Sequence, residues 1–500
     1  MNRRVASFLT LGLLAVSCRL FTSPASPTPA NEPDPFQIPW DDRSIFQSGL
    51  VESARPVLDE LPGASVYHID FKISDELNTF TGREEVRYTN NESVPLKEVQ
   101  FRLFANILGG QMIIRNLQVD GQPVAPQLKL QNSLLIVALG DDLAPGQSIV
   151  IKMDFDASVP EEVERNYGVF AYYKQVLALA HAYPMICVYD DEGWNSELPS
   201  PNGDLTYTDA AFYIVRISAP KDLTLVTSGQ QIAADSAGQL QSIVVASGPA
   251  RDFFMAASAN YQEVLQTFGE VTIHSYIDTG STEGAKFALD VAGDALDAFD
   301  KRYAPYPYTE LDLVSTPNLA LGIEYPGAIA LTTRIYEAGS APRGSSDSAI
   351  LEATVAHEVG HQYFYNLVGN DQLDDPWLDE AMAQFLMLQY YGDLYGAGGA
   401  AGVRDSLNAR WKRVELAKIP IGLPVAAYQG AEYGAIVYGR GPLFIEALKD
   451  QMGGSSFDAF LRDYTETFSW RIATPEAFQQ LAEKHCACDL DALFNEWVYP

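Results

Sequence analysis

From Val66 the chain alternates: Tyr67, Ile69, Phe71 and Ile73 stand between His68, Asp70 and Lys72, the period of a half-buried strand. Val99, Phe101 and Leu103 repeat the pattern, as do Ile149, Ile151, Met153 and Phe155. Asp120-Gly121 between apolar stretches is a hairpin signal. Phe212, Ile214 and Ile217 predict one more strand before Pro220. Residues 63–262 therefore read as an antiparallel β domain with one buried face. The period then lengthens. Leu289, Ala292, Leu296, Phe299 and Tyr303 recur at spacings of three and four, which predicts an amphipathic helix over 283–303. A short β stretch follows over 311–331. From Asp347 the pattern is mostly helical, with candidates at 348–367, 377–395, 403–416, 435–452, 455–467 and 475–484. Asp375 before Pro376 reads as a helix start, an N-cap acceptor followed by proline at the first helical position. The fold class expected is multidomain α+β, with the β domain followed by a mixed α/β region over 263–500 that carries its chemistry on helices.

The N-terminus has a different character. Arg3 and Arg4 precede a short apolar run over 5–16, the form of a signal peptide and too short to span a bilayer comfortably. The run ends in Leu14-Ala15-Val16-Ser17-Cys18, which resembles a bacterial lipobox, with Ala15 where leucine is usual. Residues 1–18 are thus expected to be a signal ending at a lipid-carrying Cys18, the alternative being an ordinary secretory signal. Pro24, Pro27, Pro29, Pro33, Pro35 and Pro39 among Ser, Thr and Ala then predict an extended tether, set at 19–62. Together these place the chain outside the cytoplasm, lipid-anchored to a bacterial membrane or else secreted.

Charge narrows the function classes. With 33 Lys and Arg against 65 Asp and Glu, the 500 residues carry a formal charge of -32. Nucleic acid is excluded as a partner, because phosphate binding needs clustered cations. Cys187, Cys486 and Cys488 form no zinc-knuckle spacing or disulfide framework. The Cys-x-Cys spacing is too close for an easy bridge, so no function is assigned to them. His68, His181, His274 and His485 lack ligand spacing and read as ordinary surface or core histidines.

The remaining histidines do not. In His357-Glu358-Val359-Gly360-His361, residues four apart share a helix face, so both imidazoles can reach one zinc ion. Glu358 is rotated off that line, near the metal without having to bind it. A catalytic zinc needs a third protein ligand and an open position. Glu380 lies on the next predicted helix, beyond turn signals at Gly369-Asn370-Asp371 and Asp374-Asp375-Pro376. Chance placement of the first motif alone is on the order of one per cent in so histidine-poor a chain.

His357-Glu358-x-x-His361 followed by Trp377-Leu378-Asp379-Glu380-Ala381 resembles the aminopeptidase N family of gluzincin zinc peptidases, which includes the leukotriene hydrolase/aminopeptidases. The usual second motif is Trp-Leu-Asn-Glu-Gly, so Asp379 and Ala381 are departures. The resemblance covers residues 63 to 500 and implies a saddle-like β domain before a thermolysin-like catalytic domain. It implies one zinc held by His357, His361 and Glu380, with Glu358 as general base. Gly322-Ile323-Glu324-Tyr325-Pro326-Gly327 is similar to the family's exopeptidase motif, in which the glutamate binds the substrate's free α-amine. That makes Glu324 and Gly322 substrate-binding candidates. Tyr438-Gly439-Arg440-Gly441 resembles the family's Tyr-x-Lys-Gly, which makes Tyr438 the candidate oxyanion donor. Many relatives carry a large helical domain after the catalytic one. The chain ends at Pro500, soon after Phe494-x-x-Trp497, and is expected to be a member without it. The expected function is removal of N-terminal residues from peptides by metal-activated water. The alternatives are a zinc endopeptidase or other zinc hydrolase on the same scaffold, and a non-catalytic binding module.

Overall fold

The computed structural model describes residues 33–278, 282–338, 343, 345 and 348–500. The segment expected to be a signal, Cys18 and the part of the expected tether up to residue 32 lie outside the described residues.

Residues 33–62, expected to belong to the tether, are folded. Their apolar side chains have a groove to fill. Phe46, Leu50, Val51, Val57 and Leu58 are buried against Phe212 and Tyr308. Val51 N donates to the Pro307 carbonyl at 3.0 Å, and Trp40 stacks on His68 at 4.0 Å.

The β-rich part is built on an eight-stranded sheet with two four-stranded sheets beside it. The alternating runs become strands at Val66–Ile73, Leu96–Arg102 and Ser148–Ser158. Asp120-Gly121 turns the chain between Gln111–Val119 and Gln122–Pro123, both residues taking positive φ as a tight hairpin requires. The sheet is not wholly antiparallel. Val66–Ile73 pairs antiparallel with Thr79–Thr89 on one side and parallel with Ala211–Pro220 on the other. A period of two marks a strand but is silent on its partner's direction, which corrects the antiparallel expectation at this pair.

The second part is mixed α/β around a five-stranded sheet. Its order is Gln262–Phe268, Val271–Ile277, Glu310–Thr316, Ala328–Thr332, Gly322–Tyr325, the three middle strands parallel. The helix Thr282–Asp300 connects the second and third strands and buries Leu289, Ala292, Leu296 and Phe299. It packs on the helix Ala349–His361, so the metal motif is seated on the sheet's buried layer. Both edge strands are antiparallel, and one of them, Gly322–Tyr325, runs beside that helix.

The helical boundaries shift for local reasons. The candidate 348–367 ends at His361, where the Gln362 and Asn366 amides fold back and Tyr365 takes φ 128°. The start expected at Asp375 moves to Glu380, capped by Asp379, whose side chain accepts from the Glu380 amide. The candidates 377–395 and 403–416 correspond to two helical stretches within Glu380–Trp411, separated at Gly396, whose φ of 67° is non-helical. Within 435–452, Ile436–Arg440 forms a π-helical turn before the helix Gly441–Met452. Such turns concentrate at functional sites.

Helices Gly454–Phe468, Pro475–Cys486 and Asp491–Trp497 complete a large C-terminal helical body, packed on the Glu380 helix through Trp377, Phe385 and Phe444. The expectation of a chain lacking a large C-terminal helical region is corrected by this body. Cys486 and Cys488 form a disulfide, against the expectation from their spacing. Ala487 takes a left-handed φ of 50° after the helix end and brings the two Cα atoms to 5.1 Å. Among the described residues, no helix is long and apolar enough to cross a membrane.

Candidate active site

The helix Ala349–His361 presents His357 and His361 one turn apart, and the first turn of the next helix brings Glu380 against them. His357 Nε2 and His361 Nε2 are 3.2 Å apart, and Glu380 Oε2 lies 3.2 Å from the first and 3.4 Å from the second. Ligand atoms held about 2.0–2.1 Å from one tetrahedral zinc are separated by roughly this spacing. All three residues are buried. His361 Nδ1 faces the Phe364 carbonyl at 3.1 Å. A proton there leaves the lone pair on Nε2, toward the triangle. His357 Nδ1 and Glu380 Oε2 have no hydrogen-bond partner among the described residues. A triangle of buried donor atoms, one of them orphaned, fits a metal ion.

A rival donor set of Glu324, His361 and Asp379 overlaps it. There His361 would turn Nδ1 to Glu324 at 4.0 Å, but that nitrogen already faces Phe364.

The site is crowded with carboxylates. Glu358 is buried beside His357, and the edge strand passes directly over it. A Cβ on Gly322 would stand 2.3 Å from Glu358 Oε1, so only glycine lets the two pass. Burial pushes Glu358 well up from the ordinary carboxylate range, and Glu324 adds to the rise. Glu324 is itself buried and raised first by burial, and Gln372 Nε2 lies 3.4 Å from its Oε1. Burial would raise Glu380 too, but the adjacent imidazoles of His357 and His361 outweigh it and hold the group far below its usual range. Burial would lower His361, but Glu324 and Glu380 reverse the sign and hold it well up.

Tyr438, on the π-helical turn, donates its hydroxyl to Glu380 Oε1, and its ring centroid lies 6.0 Å from that of His357. Burial, then the Glu380 charge, keeps its phenol protonated well above the usual range. Arg440, two residues on in the same motif, is held elsewhere. Its guanidinium donates to the carbonyls of Ile419, Glu496 and Trp497 and lies over the Trp497 ring.

Sequence reasoning missed several neighbours. Asp204, from the β-rich part, lines the cleft beside Glu324, and burial, then Glu324, raises it well above the usual range. Its setting in Asn202-Gly203-Asp204 carries no sequence signal. Asp379, noted as a departure, caps the Glu380 helix and accepts from Gln372 Nε2 at 2.8 Å. Burial, then Glu380, pushes it up from the usual carboxylate range. Arg410 lines the same cleft, its guanidinium 5.8 Å from the Tyr438 ring centroid. His181, read as ordinary, also lines it, with Nδ1 2.7 Å from buried Asp252. The cleft has a volume of about 1020 Å³, and Asp204, Glu324, His357, Glu358, Glu380 and Tyr438 converge on it.

Comparison with known proteins agrees with this geometry. Residues 287–497 match the Peptidase family M1 domain. Aminopeptidase M1-B of Oryza sativa subsp. japonica is 24% identical over 402 residues, 76% of this chain and 45% of the relative. Probable aminopeptidase 2 of Sulfurisphaera tokodaii is 25% identical over 245 residues, 48% of this chain and 31% of the relative. The chain thus spans less than half the length of these curated relatives. In fold, it is similar to the crystal structure of an M1 zinc metallopeptidase from Deinococcus radiodurans. The TM-score is 0.63 at 17% identity, covering 91% of this chain and 95% of that one.

Proposed function

We propose that the chain is a zinc aminopeptidase that removes residues from the free N-terminus of peptides. The observation that carries the reading is the pairing of two features in one cleft, a buried His-His-Glu donor triangle and the buried carboxylate of Glu324 4.0 Å from His361. A carboxylate in that place pairs with a charge that only a chain terminus carries. Asp204 lines the cleft beside it as a second carboxyl group.

His357, His361 and Glu380 would hold the zinc. When bound, it supplies Lewis acidity for a water and for the scissile carbonyl. The chain's own groups do the rest. Glu358, its proton affinity raised by burial, takes a proton from the attacking water and returns it to the leaving amine. Tyr438, kept protonated, donates to the developing oxyanion and so stabilises the transition state more than the ground state. Glu324 and Gly322 seat the substrate's first residue, the glycine by letting the backbone lie close over Glu358. One structure of the Deinococcus radiodurans enzyme carries a bound Tyr-Ser-Ala substrate, which supports a peptide as the occupant of such a cleft.

The test is mass spectrometry of peptides offered with free and with acetylated N-termini. Stepwise N-terminal loss from the free set alone is expected. Internal cuts, or equal attack on the acetylated set, would discard Glu324 as an amine anchor. We also infer from the N-terminal segment an extracytoplasmic, lipid-anchored protein. An unmodified mature terminus anywhere other than Cys18 would overturn that.

A further inference from the structure

The five-stranded sheet carries a second group of metal-ligand side chains, away from the cleft. Strand register puts them on one face. In the parallel pair Val271–Ile277 and Glu310–Thr316, Thr272 lies opposite Glu310 and His274 opposite Asp312. In the outer antiparallel pair, Glu263 lies opposite Tyr276. Residues that share a register and a parity share a face. The buried positions of these strands, Ile273 and Leu311, face the helices, so the polar face is the other one.

We propose that His274, Glu310 and Asp312 form a second divalent-cation site, with Glu263 behind the histidine. One ligand atom from each of the three lies within 4.8 Å of the others. Small side-chain movements close such a set on an ion. Asp312 is 2% exposed, and its Oδ1 has no hydrogen-bond partner among the described residues. A buried carboxylate oxygen without a partner is costly, and a cation is the ligand that would satisfy it. Among the described residues, neither Glu310 nor Asp312 has a Lys or Arg within ion-pairing distance.

The histidine is set as a ligand would be. Glu263 Oε1 lies 2.6 Å from His274 Nδ1 and also accepts from the Tyr276 hydroxyl at 3.0 Å. A proton on Nδ1 leaves the lone pair on Nε2, the form of imidazole that a metal takes, with a carboxylate behind it. The Tyr276 ring, 5.9 Å away and nearly parallel, limits the imidazole's rotation. The Glu263 side chain is 43% exposed, so the cluster has an entry path from solvent. One imidazole with two carboxylates is a borderline donor set, suited to Zn2+ or Mn2+.

The experiment counts metal rather than activity, so its result is independent of the peptidase reading. The full chain is stripped of metal and dialysed against Zn2+, and in parallel against Mn2+. Metal per chain is then measured by mass spectrometry. Two zinc ions per chain are expected in the wild type. One is expected in the His274→Ala/Asp312→Asn double variant, and one in His357→Ala. Glu263→Gln, on the exposed side, guards against a misfolded double variant. It should keep the thermal transition and weaken binding at the second site by about 10-fold. One ion per chain in the wild type, or two retained in the double variant, would overturn the site and leave Glu310 and Asp312 as a proton-sharing pair.

Discussion

Arg251 and the triangle of His357, His361 and Glu380 are both buried polar centres, and they are built in opposite ways. Each guanidinium nitrogen of Arg251 meets a carbonyl: Nε that of Asn366 at 2.9 Å, Nη1 that of Thr208 at 3.0 Å, and Nη2 that of Arg471 at 2.8 Å. One side chain so ties the β-rich part, the segment after the metal helix and the C-terminal helices. Gly369 leaves room for it, since a Cβ there would stand 2.2 Å from the guanidinium carbon. The triangle instead keeps His357 Nδ1 and Glu380 Oε2 without partners among the described residues and gathers Glu324, Glu358 and Asp379 around them. A buried charge with each of its nitrogens hydrogen-bonded holds its surroundings together. Orphaned atoms among like charges cost stability and are kept where a ligand is to be bound.

Substitutions should separate the two centres. Glu358→Gln is expected to lower kcat about 10³-fold, roughly 4 kcal/mol of transition-state stabilisation. Zinc content should stay at wild type. The melting temperature should hold or rise, because an amide relieves the repulsion from Glu324. A variant that melts earlier and keeps its turnover would erase the contrast. Arg251→Met should do the reverse. It leaves three buried carbonyls unmet and is expected to cost about 3 kcal/mol, read from urea midpoints. The kcat of the folded fraction should remain near wild type.

Tyr438→Phe sharpens the comparison within the site. The phenol keeps its proton at neutral pH and is available as a donor. Its loss should lower kcat about 10²-fold with little change in KM, as for an interaction made in the transition state. A change confined to KM would make Tyr438 a substrate-packing residue instead.

The sequence was informative where a feature is local. His357, Glu358 and His361 lie within one helical turn, and Glu380 sits in a motif of its own, so spacing alone brings them together. The period-two runs likewise mark strands. Features set by distant contacts were not legible. The Pro-rich stretch after Pro33 reads as a tether, yet Phe46 and Leu50 fill a groove that exists only once Phe212 and Tyr308 are in place. Parallel pairing of Val66–Ile73 with Ala211–Pro220 joins segments some 140 residues apart. Asp204 reaches Glu324 by the same long-range closure. Arg440 kept the motif's charge but turned it toward the Glu496 and Trp497 carbonyls. Ala487 made a Cys-x-Cys bridge possible through one left-handed residue, a conformation that composition does not announce.

The segment joining the two centres, from Gln362 to Asp379, supplies the smallest effect. Asp371 and Asp375 lie on it between the Arg251 knot and the Glu380 helix. Burial pushes Asp371 up to about 7, although its Oδ1 accepts from the Leu373 and Asp374 amides. Burial, then Asp371, pushes Asp375 up to about 7 as well. An aspartate whose folded pKa exceeds its unfolded value of about 3.9 binds its proton more tightly when folded. Its stabilising contribution is full below the unfolded pKa and is lost as pH rises toward 7. Stability from this segment should therefore fall between pH 4 and 7, opposite in sign to a salt-bridged carboxylate. Asp371→Asn retains the acceptor oxygen, and with Asp375→Asn it removes the titration. The double variant should melt about 2 °C above wild type at pH 8 and no higher than wild type at pH 4.5. An equal gain at both pH values would mean that the segment is limited by packing rather than by charge, and that it belongs with the Arg251 knot and not with the acidic cleft.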